Sequence, residues 1–307
     1  NVSAPVQVAP NTAQFDVVYT IAVSNPSLLD FTYALSDTPG FDPDAEVNSA
    51  SYTLNGAPGG ALAGTGPWTL ATARAIAAGA TDTYVLTVRF TIGRGGSVAN
   101  DACQSPSVAG SGLHNLARLS QDAVSGNPAQ SLSDTACANT PTPVWIALGK
   151  NVVRRLQASD QFEIRILLDA TATPIATALT VGTGTTAGTG VIARPVGEIL
   201  RLNESLRANG TGTPTTAVNY RPNIACTNAG TAFTGLPSGL AANLGNNSGW
   251  PEFQPPAGAD IACTITNSPA TADLQITKTN NVTTLASGAT TAYTIVASNN
   301  GPDPVNN

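Results

Sequence analysis

The segment Tyr19-Thr-Ile-Ala-Val-Ser-Asn25 alternates apolar and polar residues and stops at Asn-Pro, and it recurs as Tyr293-Thr-Ile-Val-Ala-Ser-Asn299 before Asn-Gly-Pro. Alternation over a short run is typical of a half-buried β-strand, and the Asn, Gly and Pro residues that follow predict a turn. The shared ending and the comparable lead-in indicate an internal repeat. We therefore expect a protein built from β-modules.

The composition supports this expectation. Only 10% of the 307 residues are charged, methionine is absent, and Thr, Ala, Gly, Asn, Val and Pro dominate the sequence. β-Branched residues suit pleated, half-buried surfaces, whereas Gly, Pro and Asn supply turns. Hydrophobic residues reach 42%, which is enough to form packed cores. The predicted fold class is all-β, with tandem Ig-like or prealbumin-like β-sandwich modules.

The charge of the chain argues against two classes of partner. The net charge is -6 and the pI is about 4.6, so no basic surface is expected to bind nucleic acid or an anionic membrane. No apolar run approaches the ~20 residues that span a bilayer, so no membrane insertion of this segment is expected. The sequence begins at Asn1 and shows no signal peptide. We expect both ends to be cuts through a longer precursor, with any export signal or anchor outside this sequence.

Cysteine usage points to an oxidising compartment. Four cysteines allow three pairings, and pairing within each module joins Cys103 to Cys137 and Cys226 to Cys263. A zinc site is disfavoured because no CxxC spacing exists and the chain has one histidine. We therefore expect a secreted protein at the cell surface or in the extracellular medium.

Turn and strand signals divide the chain into three segments. We predict a β-sandwich over residues 1–141, a second over residues 142–272, and the opening strands of a further module over residues 273–307. The glycine-rich run Gly182–Gly190 lacks the Gly-Lys-Ser/Thr ending of a phosphate loop and is predicted to be a hairpin or loop. The predicted strands are Phe15–Ser24, Glu46–Leu54, Thr83–Ile92, Leu113–Ser120, Val144–Lys150, Phe162–Leu168, Glu198–Asn203, Tyr220–Thr227 and Cys263–Asn267.

Parts of the sequence resemble known families. Asp273-Leu-Gln-Ile-Thr-Lys-Thr279 followed by Tyr293–Pro302 resembles the opening of the bacterial conserved repeat domain, the domain of unknown function eleven. The first module is similar to a longer variant of that family through Tyr19–Asn25, Ser36–Pro39, Gly66–Leu70 and Ala78–Thr81. The second module resembles prealbumin-like domains of the collagen-adhesin B type, which occur in pilins and adhesin stalks. These resemblances imply an extracellular stalk, filament or adhesin.

The resemblance to pilin-type domains also implies a chemical site. In those domains a lysine of the first strand attacks an asparagine of the last strand, assisted by a buried acidic residue, and an isopeptide bond results. Lys150, Asn267 and Glu204 occupy matching places here. The reaction needs a neutral lysine and a protonated carboxyl, which burial among residues such as Phe162, Ile164 and Ile166 would favour. The alternative is a surface lysine, a turn asparagine and an exposed glutamate, in a module already held by a disulfide.

Other chemistry is weakly indicated. Asp42, Asp44 and Glu46 place acidic residues at alternate positions, which suits Ca²⁺, but a solvated turn explains Pro39–Asp44 more simply, and no metal site is predicted. His114 is expected to be a packed or surface strand residue, because no Gly-x-Ser-x-Gly elbow is present. We predict no catalytic residue and no cofactor, and therefore no enzyme.

The function predicted from the sequence is a structural subunit or stalk segment of an extracellular bacterial filament or surface fibre. Its main partner is expected to be a second copy of itself, joined head to tail. Leu274, Ile276, Tyr293 and Ile295 of the unfinished third segment are candidates for a strand that pairs with a neighbouring subunit. A continuing downstream domain is the other explanation of that segment. The alternative function is an adhesin with an unknown host or environmental ligand.

Overall fold

The computed structural model describes residues 1–123, 128–168, 173–210, 219–241 and 248–301. These residues form twenty strands and one 3₁₀ turn, Val98–Asn100, and they contain no α-helix. No helix in the described part of the chain is therefore long and apolar enough to cross a membrane. The predicted all-β class is confirmed.

The strands are β1 Val6–Gln7, β2 Gln14–Ser24, β3 Phe31–Pro39, β4 Ala45–Leu54, β5 Ala57–Leu62, β6 Trp68–Ile76, β7 Thr81–Ile92, β8 Leu113–Gln121, β9 Gln130–Ala138, β10 Val144–Val152, β11 Asp160–Leu168, β12 Thr173–Leu179, β13 Thr186–Arg194, β14 Leu200–Ala208, β15 Tyr220–Asn228, β16 Gly239–Leu240, β17 Ser248–Gly249, β18 Asp260–Pro269, β19 Leu274–Thr279 and β20 Thr294–Asn299.

The first nine strands form two sheets that pack face to face. One sheet has the order β1-β2-β7-β4-β5 and the other has the order β6-β3-β8-β9. Strand β7 shows why they pack: every second side chain, from Asp82 to Ile92, is buried, so one face of the sheet is almost wholly apolar. Tyr19, Tyr84 and Phe90 are among its largest fully buried side chains.

Strands β10 to β18 form a second pair of sheets. Their orders are β13-β10-β18-β15-β16 and β12-β11-β14-β17. β10 and β18 are adjacent and parallel, with Lys150 opposite Ile265 and Val152 opposite Asn267. The strand that opens this sandwich therefore lies directly beside the strand that closes it.

Strands β19 and β20 pair as an antiparallel hairpin that forms a sheet of its own. Its side chains are almost all exposed. The repeated segment ends alike in both copies, because Asn25 Oδ1 accepts from Ser27 N at 3.2 Å and Asn299 Oδ1 accepts from Gly301 N at 3.0 Å. The repeat thus encodes a strand and the Asx-turn that stops it. Residues 302–307 of the predicted third segment lie outside the described residues.

Several predicted boundaries were wrong. Gly182–Gly190 is not a loop throughout, because β13 begins at Thr186 and its backbone pairs with β10 despite the glycines. Glu198 and Ile199 precede β14, which begins at Leu200 and continues to Ala208. The unpredicted strands include β3, β5, β6, β9 and β12, and each of them pairs with a neighbouring strand of its sheet.

The two sandwiches contact each other directly. Asn11, in the turn before β2, accepts a hydrogen bond from Arg194 Nη1 at 2.8 Å and donates to the Ile175 carbonyl at 2.7 Å. Arg94 forms a bidentate ion pair with Asp260, with a closest distance of 2.7 Å. These contacts join the end of the first sandwich to the β12–β13 side and to the start of β18.

Candidate cross-linking site

Lys150 occupies a core position in β10. The strand buries Val144, Ile146, Leu148, Lys150 and Val152 on one face, so the lysine stands where the alternation calls for an apolar residue. Its side chain is fully buried. Nζ donates to the carbonyl oxygens of Asn151 at 3.2 Å and Ile265 at 3.3 Å. The alternative of a surface lysine is therefore wrong.

Glu204 faces Lys150 from the opposite sheet. It follows Leu200 and Leu202 on the buried face of β14, and its side chain is also fully buried. Glu204 Oε2 lies 3.1 Å from Lys150 Nζ. The carboxylate therefore bridges the two sheets at the centre of the second sandwich.

Asn267 completes the site from β18. It follows Ile261, Cys263 and Ile265 on the buried face of that strand and has no exposed surface. Asn267 Nδ2 donates to Glu204 Oε1, while Asn267 Oδ1 is buried without a hydrogen-bond partner. One carboxylate thus contacts both the lysine amine and the asparagine amide.

Apolar side chains surround these three residues. Lys150 Nζ lies 4.9 Å from the centroid of the Phe162 ring, which packs edge-on against Tyr220. Ile164 and Ile166 of the same strand are fully buried in the main core of this sandwich. This environment excludes water and has a low dielectric, so isolated charges are costly there.

Burial shifts the acid–base equilibrium of both ionisable groups toward their neutral forms. It lowers the pKa of Lys150 to about 8, although the nearby Glu204 carboxylate opposes the shift. It also raises the pKa of Glu204 above its ordinary value, against the effects of Lys150 and Asn267. A proton passed from the ammonium to the carboxylate therefore yields a neutral amine beside a carboxylic acid, the pair that amide exchange requires.

The three side chains are the groups that isopeptide formation would require. The lone pair of Lys150 Nζ can attack Cγ of Asn267, forming a C–N bond. Glu204 can take a proton from Nζ and deliver it to Nδ2, which leaves as ammonia when its bond to Cγ breaks. The product is an amide between Lys150 and Asn267, and Glu204 ends in the protonation state in which it began.

The disulfides cross-link other strand pairs. Cys226 and Cys263 lie opposite each other on β15 and β18, with Cα atoms 4.0 Å apart. Cys103 and Cys137 are joined in the first sandwich, with Cα atoms 5.9 Å apart. A Lys150–Asn267 bond would instead join β10 to β18, so the Cys226–Cys263 disulfide does not make it redundant.

The acidic residues around Asp42 are arranged differently from the prediction. Asp42 is 1% exposed, so the solvated-turn interpretation was wrong for this residue. Glu46 is exposed, whereas Asp101, from a distant part of the sequence, lies with Asp42 and Asp44. Burial and the neighbouring Asp42 raise the pKa of Asp101 to about 6. No local spacing could have revealed Asp101, because the tertiary fold brings it to the cluster.

The predicted inter-subunit residues share one face of the hairpin. Leu274, Ile276 and Ile295 project to the same side of the β19–β20 pair. Tyr293 lies just before β20, and Lys278 Nζ on the same face lies 4.2 Å from the centroid of its ring. Their exposed fractions are 66%, 73%, 60% and 54% for Leu274, Ile276, Ile295 and Tyr293. His114, in contrast, is buried in β8 and hydrogen-bonds Ser107 Oγ at 2.6 Å through Nδ1.

Comparison with curated proteins finds no match for the sequence. Three of the solved structures that resemble it are two of BcpA, the major pilin subunit of Bacillus cereus, and one of domains D2 and D3 of the major pilin SpaD from Corynebacterium diphtheriae. The D312A form of BcpA is 13% identical with a TM-score of 0.32, and the match covers 69% of this chain and 56% of that one. Unmodified BcpA is 12% identical with a TM-score of 0.36, covering 88% and 70%.

The SpaD domains are 12% identical, with a TM-score of 0.33, and the match covers 70% of this chain and 86% of that one. TM-scores below 0.5 carry no inference about function. A family model gives a more specific result for one part of the chain. Residues 145–269 match the family described as the prealbumin-like fold domain, and this range contains Lys150, Glu204 and Asn267.

Proposed function

We propose that this chain is a structural subunit of an extracellular bacterial filament or surface fibre, whose second sandwich is closed by an isopeptide bond between Lys150 and Asn267. The observation that carries the proposal is the buried Lys150–Glu204–Asn267 triad. A buried lysine–glutamate pair is a poor stabilising device, because apolar residues of similar volume stabilise a core as well or better. Formation of a covalent product would explain why a lysine, a glutamate and an asparagine occupy these core positions.

The position of the bond fits a load-bearing role. The polypeptide enters the second sandwich through β10 and leaves it through β18, and these strands are neighbours. A bond from residue 150 to residue 267 would carry tension across the sandwich while bypassing the chain between them. Tension applied along a filament could then not unravel this module.

The test is the mass of the intact chain after the disulfides have been reduced. We expect it to be lower than the sequence mass by one ammonia molecule, and Lys150 to resist acetylation in denaturant. Lys278 is the only other lysine in the sequence and is the internal control. An unchanged mass together with acetylation of both lysines would refute the cross-link.

Head-to-tail contact through the hairpin is the second part of the proposal. The face that carries Leu274, Ile276, Tyr293 and Ile295 is mostly apolar, with Lys278 as its charged residue, and among the described residues no third strand pairs with either outer edge of the two-stranded sheet. An open edge beside an apolar face is the surface that strand addition uses. We infer that a second copy covers this face in the assembled fibre.

An adhesin is the second candidate function, because the first sandwich has an apolar cleft. A cavity of about 890 Å³ lies between β2 and β9 and is lined by residues that include Ile21, Leu29, Leu119 and Leu132. This volume is typical of sites for small ligands. An apolar fluorescent probe should bind there, and Leu132→Asp at the exposed side of the cleft should abolish the binding. If the probe binds Leu132→Asp as well as the native chain, the cleft is not a ligand site.

A further inference from the structure

Three carboxylates meet where the two sandwiches join. Asp42 and Asp44 lie between β3 and β4, whereas Asp101 follows the 3₁₀ turn Val98–Asn100. One oxygen from each of the three lies within 4.8 Å of the others. No lysine or arginine of the described residues forms an ion pair with any of them. Three like charges this close repel one another unless something positive lies between them.

The burial of Asp42 is a second observation, independent of the spacing of the three carboxylates, that indicates a ligand. Its side chain is 1% exposed, and Oδ1 accepts a hydrogen bond from Asp44 N at 2.7 Å. Oδ2 is buried and has no hydrogen-bond partner. A buried carboxylate oxygen without a partner is strongly unfavourable in a folded protein, so Asp42 Oδ2 is suited to bind a cation.

The surroundings tie this cluster to the second sandwich. Thr142, in the linker to β10, donates a hydrogen bond from Oγ1 to Asp101, and Thr140 N donates to the Asp101 carbonyl at 2.8 Å. A cavity of about 20 Å³ beside the cluster is lined by Asp44, Asp101 and Thr142, and also by Trp145 and Gly258 of the second sandwich. A space of this size holds about one water-sized species.

We propose that Asp42, Asp44 and Asp101 bind a calcium ion that stiffens the junction between the two sandwiches. The ligands are all carboxylate oxygens, which hard divalent cations prefer. Calcium accepts irregular arrangements, and oxygens on opposite sides of it lie about 4.6–5.2 Å apart because each bond is about 2.3–2.6 Å. Oxygens that all lie within 4.8 Å of one another can bind one such ion together, whereas magnesium demands near-ideal octahedral geometry. The inference is independent of the cross-link in the second sandwich.

The first test is calorimetric titration of the full chain, freed of metal, with CaCl₂ and with MgCl₂. We expect one saturable calcium site and weaker magnesium binding. Calcium affinity should fall at least tenfold in Asp42→Asn and in Asp101→Asn, and stay unchanged in the control Asp122→Asn, because Asp122 is exposed and far along the sequence from the cluster. Absence of saturable calcium binding by the folded native chain would overturn the proposal, as would unchanged binding in both cluster variants.

A second test does not depend on how well the aspartate variants fold. Trp145 lines the cavity, so excitation of its indole should sensitise the luminescence of Tb³⁺ bound in place of calcium. We expect calcium to displace Tb³⁺ and Trp145→Phe to lose most of the sensitised signal while still binding calcium in the titration. A signal that survives both calcium and Trp145→Phe would place the ion elsewhere and overturn the assignment. Calcium binding does not change the covalent mass of the chain, so the intact-mass measurement tests the cross-link separately.

Discussion

Glu204 Oε2 lies 3.1 Å from Lys150 Nζ, and neither side chain has any contact with solvent. The pair joins the two sheets of the second sandwich, and Asn267 contacts the same carboxylate. Removing one partner from such a pair is strongly destabilising, because it leaves an uncompensated charge in the core. Substitutions at this site must therefore keep shape and hydrogen bonding if they are to report on chemistry.

Glu204→Gln should prevent cross-link formation while the sandwich still folds. The amide keeps the size of the carboxyl group but cannot relay a proton from Nζ to the departing nitrogen. We expect the reduced chain to have the full sequence mass. Loss of a bond between residues 150 and 267 should also lower the free energy of unfolding by about 5 kcal/mol in the chain-entropy model.

Glu163→Gln is the matched control for that experiment. Glu163 lies on β11 and pairs with Arg207 at 2.5 Å, away from the triad. Its variant should show the same ammonia loss as the native chain. Ammonia loss in Glu204→Gln would mean that the carboxylate is not required.

The disulfide and the isopeptide bond should stabilise the second sandwich almost additively. Cys226 and Cys263 are 37 positions apart, and closing that loop should contribute about 3–4 kcal/mol. The Lys150–Asn267 bond links a different strand pair, so each bond removes separate freedom from the unfolded chain. A double-mutant cycle of Cys226→Ser/Cys263→Ser and Glu204→Gln, measured by urea unfolding, should give a coupling energy below about 1 kcal/mol. A larger coupling would mean that the bonds are redundant.

Asp37 should make the stability of the first sandwich depend on pH. Burial raises its pKa to about 7, although Asn115 Nδ2 donates to its carboxylate at 2.8 Å and opposes the shift. The folded state therefore holds a proton that the unfolded state releases near pH 4. The stability from this group is complete below about pH 4 and is lost as the pH rises through 7.

Asp37→Asn should remove that dependence. We expect the variant to be more stable than the native chain by about 2–4 kcal/mol at pH 8, and to differ little at pH 4, in urea unfolding. Asp134→Asn, on the exposed strand β9, is the control. A pH-independent effect of Asp37→Asn would show that the carboxyl group is not protonated in the fold.

Asn11→Gly should loosen the junction between the sandwiches. Asn11 has φ 64°, a conformation that glycine adopts without strain, so the substitution removes only its hydrogen bonds to Arg194 and Ile175. We expect faster cleavage of the linker at residues 139–143 by a protease, with the melting of each sandwich little changed. Val8→Ala in the same turn is the control, and equal cleavage of both variants would contradict the role of Asn11.

Self-association should depend on one face of the hairpin. Ile276→Ser combined with Ile295→Ser removes two exposed side chains from the apolar face, each worth up to about 2–3 kcal/mol on burial. Analytical ultracentrifugation should show weaker association of this variant. Val296→Ser is the matched control, because Val296 is 52% exposed on the opposite face. Equal association of all three chains would exclude this face as the contact.

The sequence determined the class of fold and most of the long strands. Strict alternation marks one face of a strand for burial wherever the chain is placed, so β2, β7 and β10 could be predicted from their own residues. The resemblance to pilin-type domains singled out Lys150, Glu204 and Asn267, and in the structure each of them interrupts the apolar face of an alternating strand. The repeat of Tyr19–Asn25 at Tyr293–Asn299 likewise encoded a strand and its Asx-turn.

Only the tertiary structure decided which distant residues meet. Whether Glu204 faces Lys150 depends on the packing of one sheet on the other, and the parallel pairing of β10 with β18 joins strands more than a hundred positions apart. Asp101 joins Asp42 for the same reason. Alternation fixes the face on which a side chain lies, but the register between strands and the stacking of sheets fix its neighbours, and those are set by the packing of the whole core.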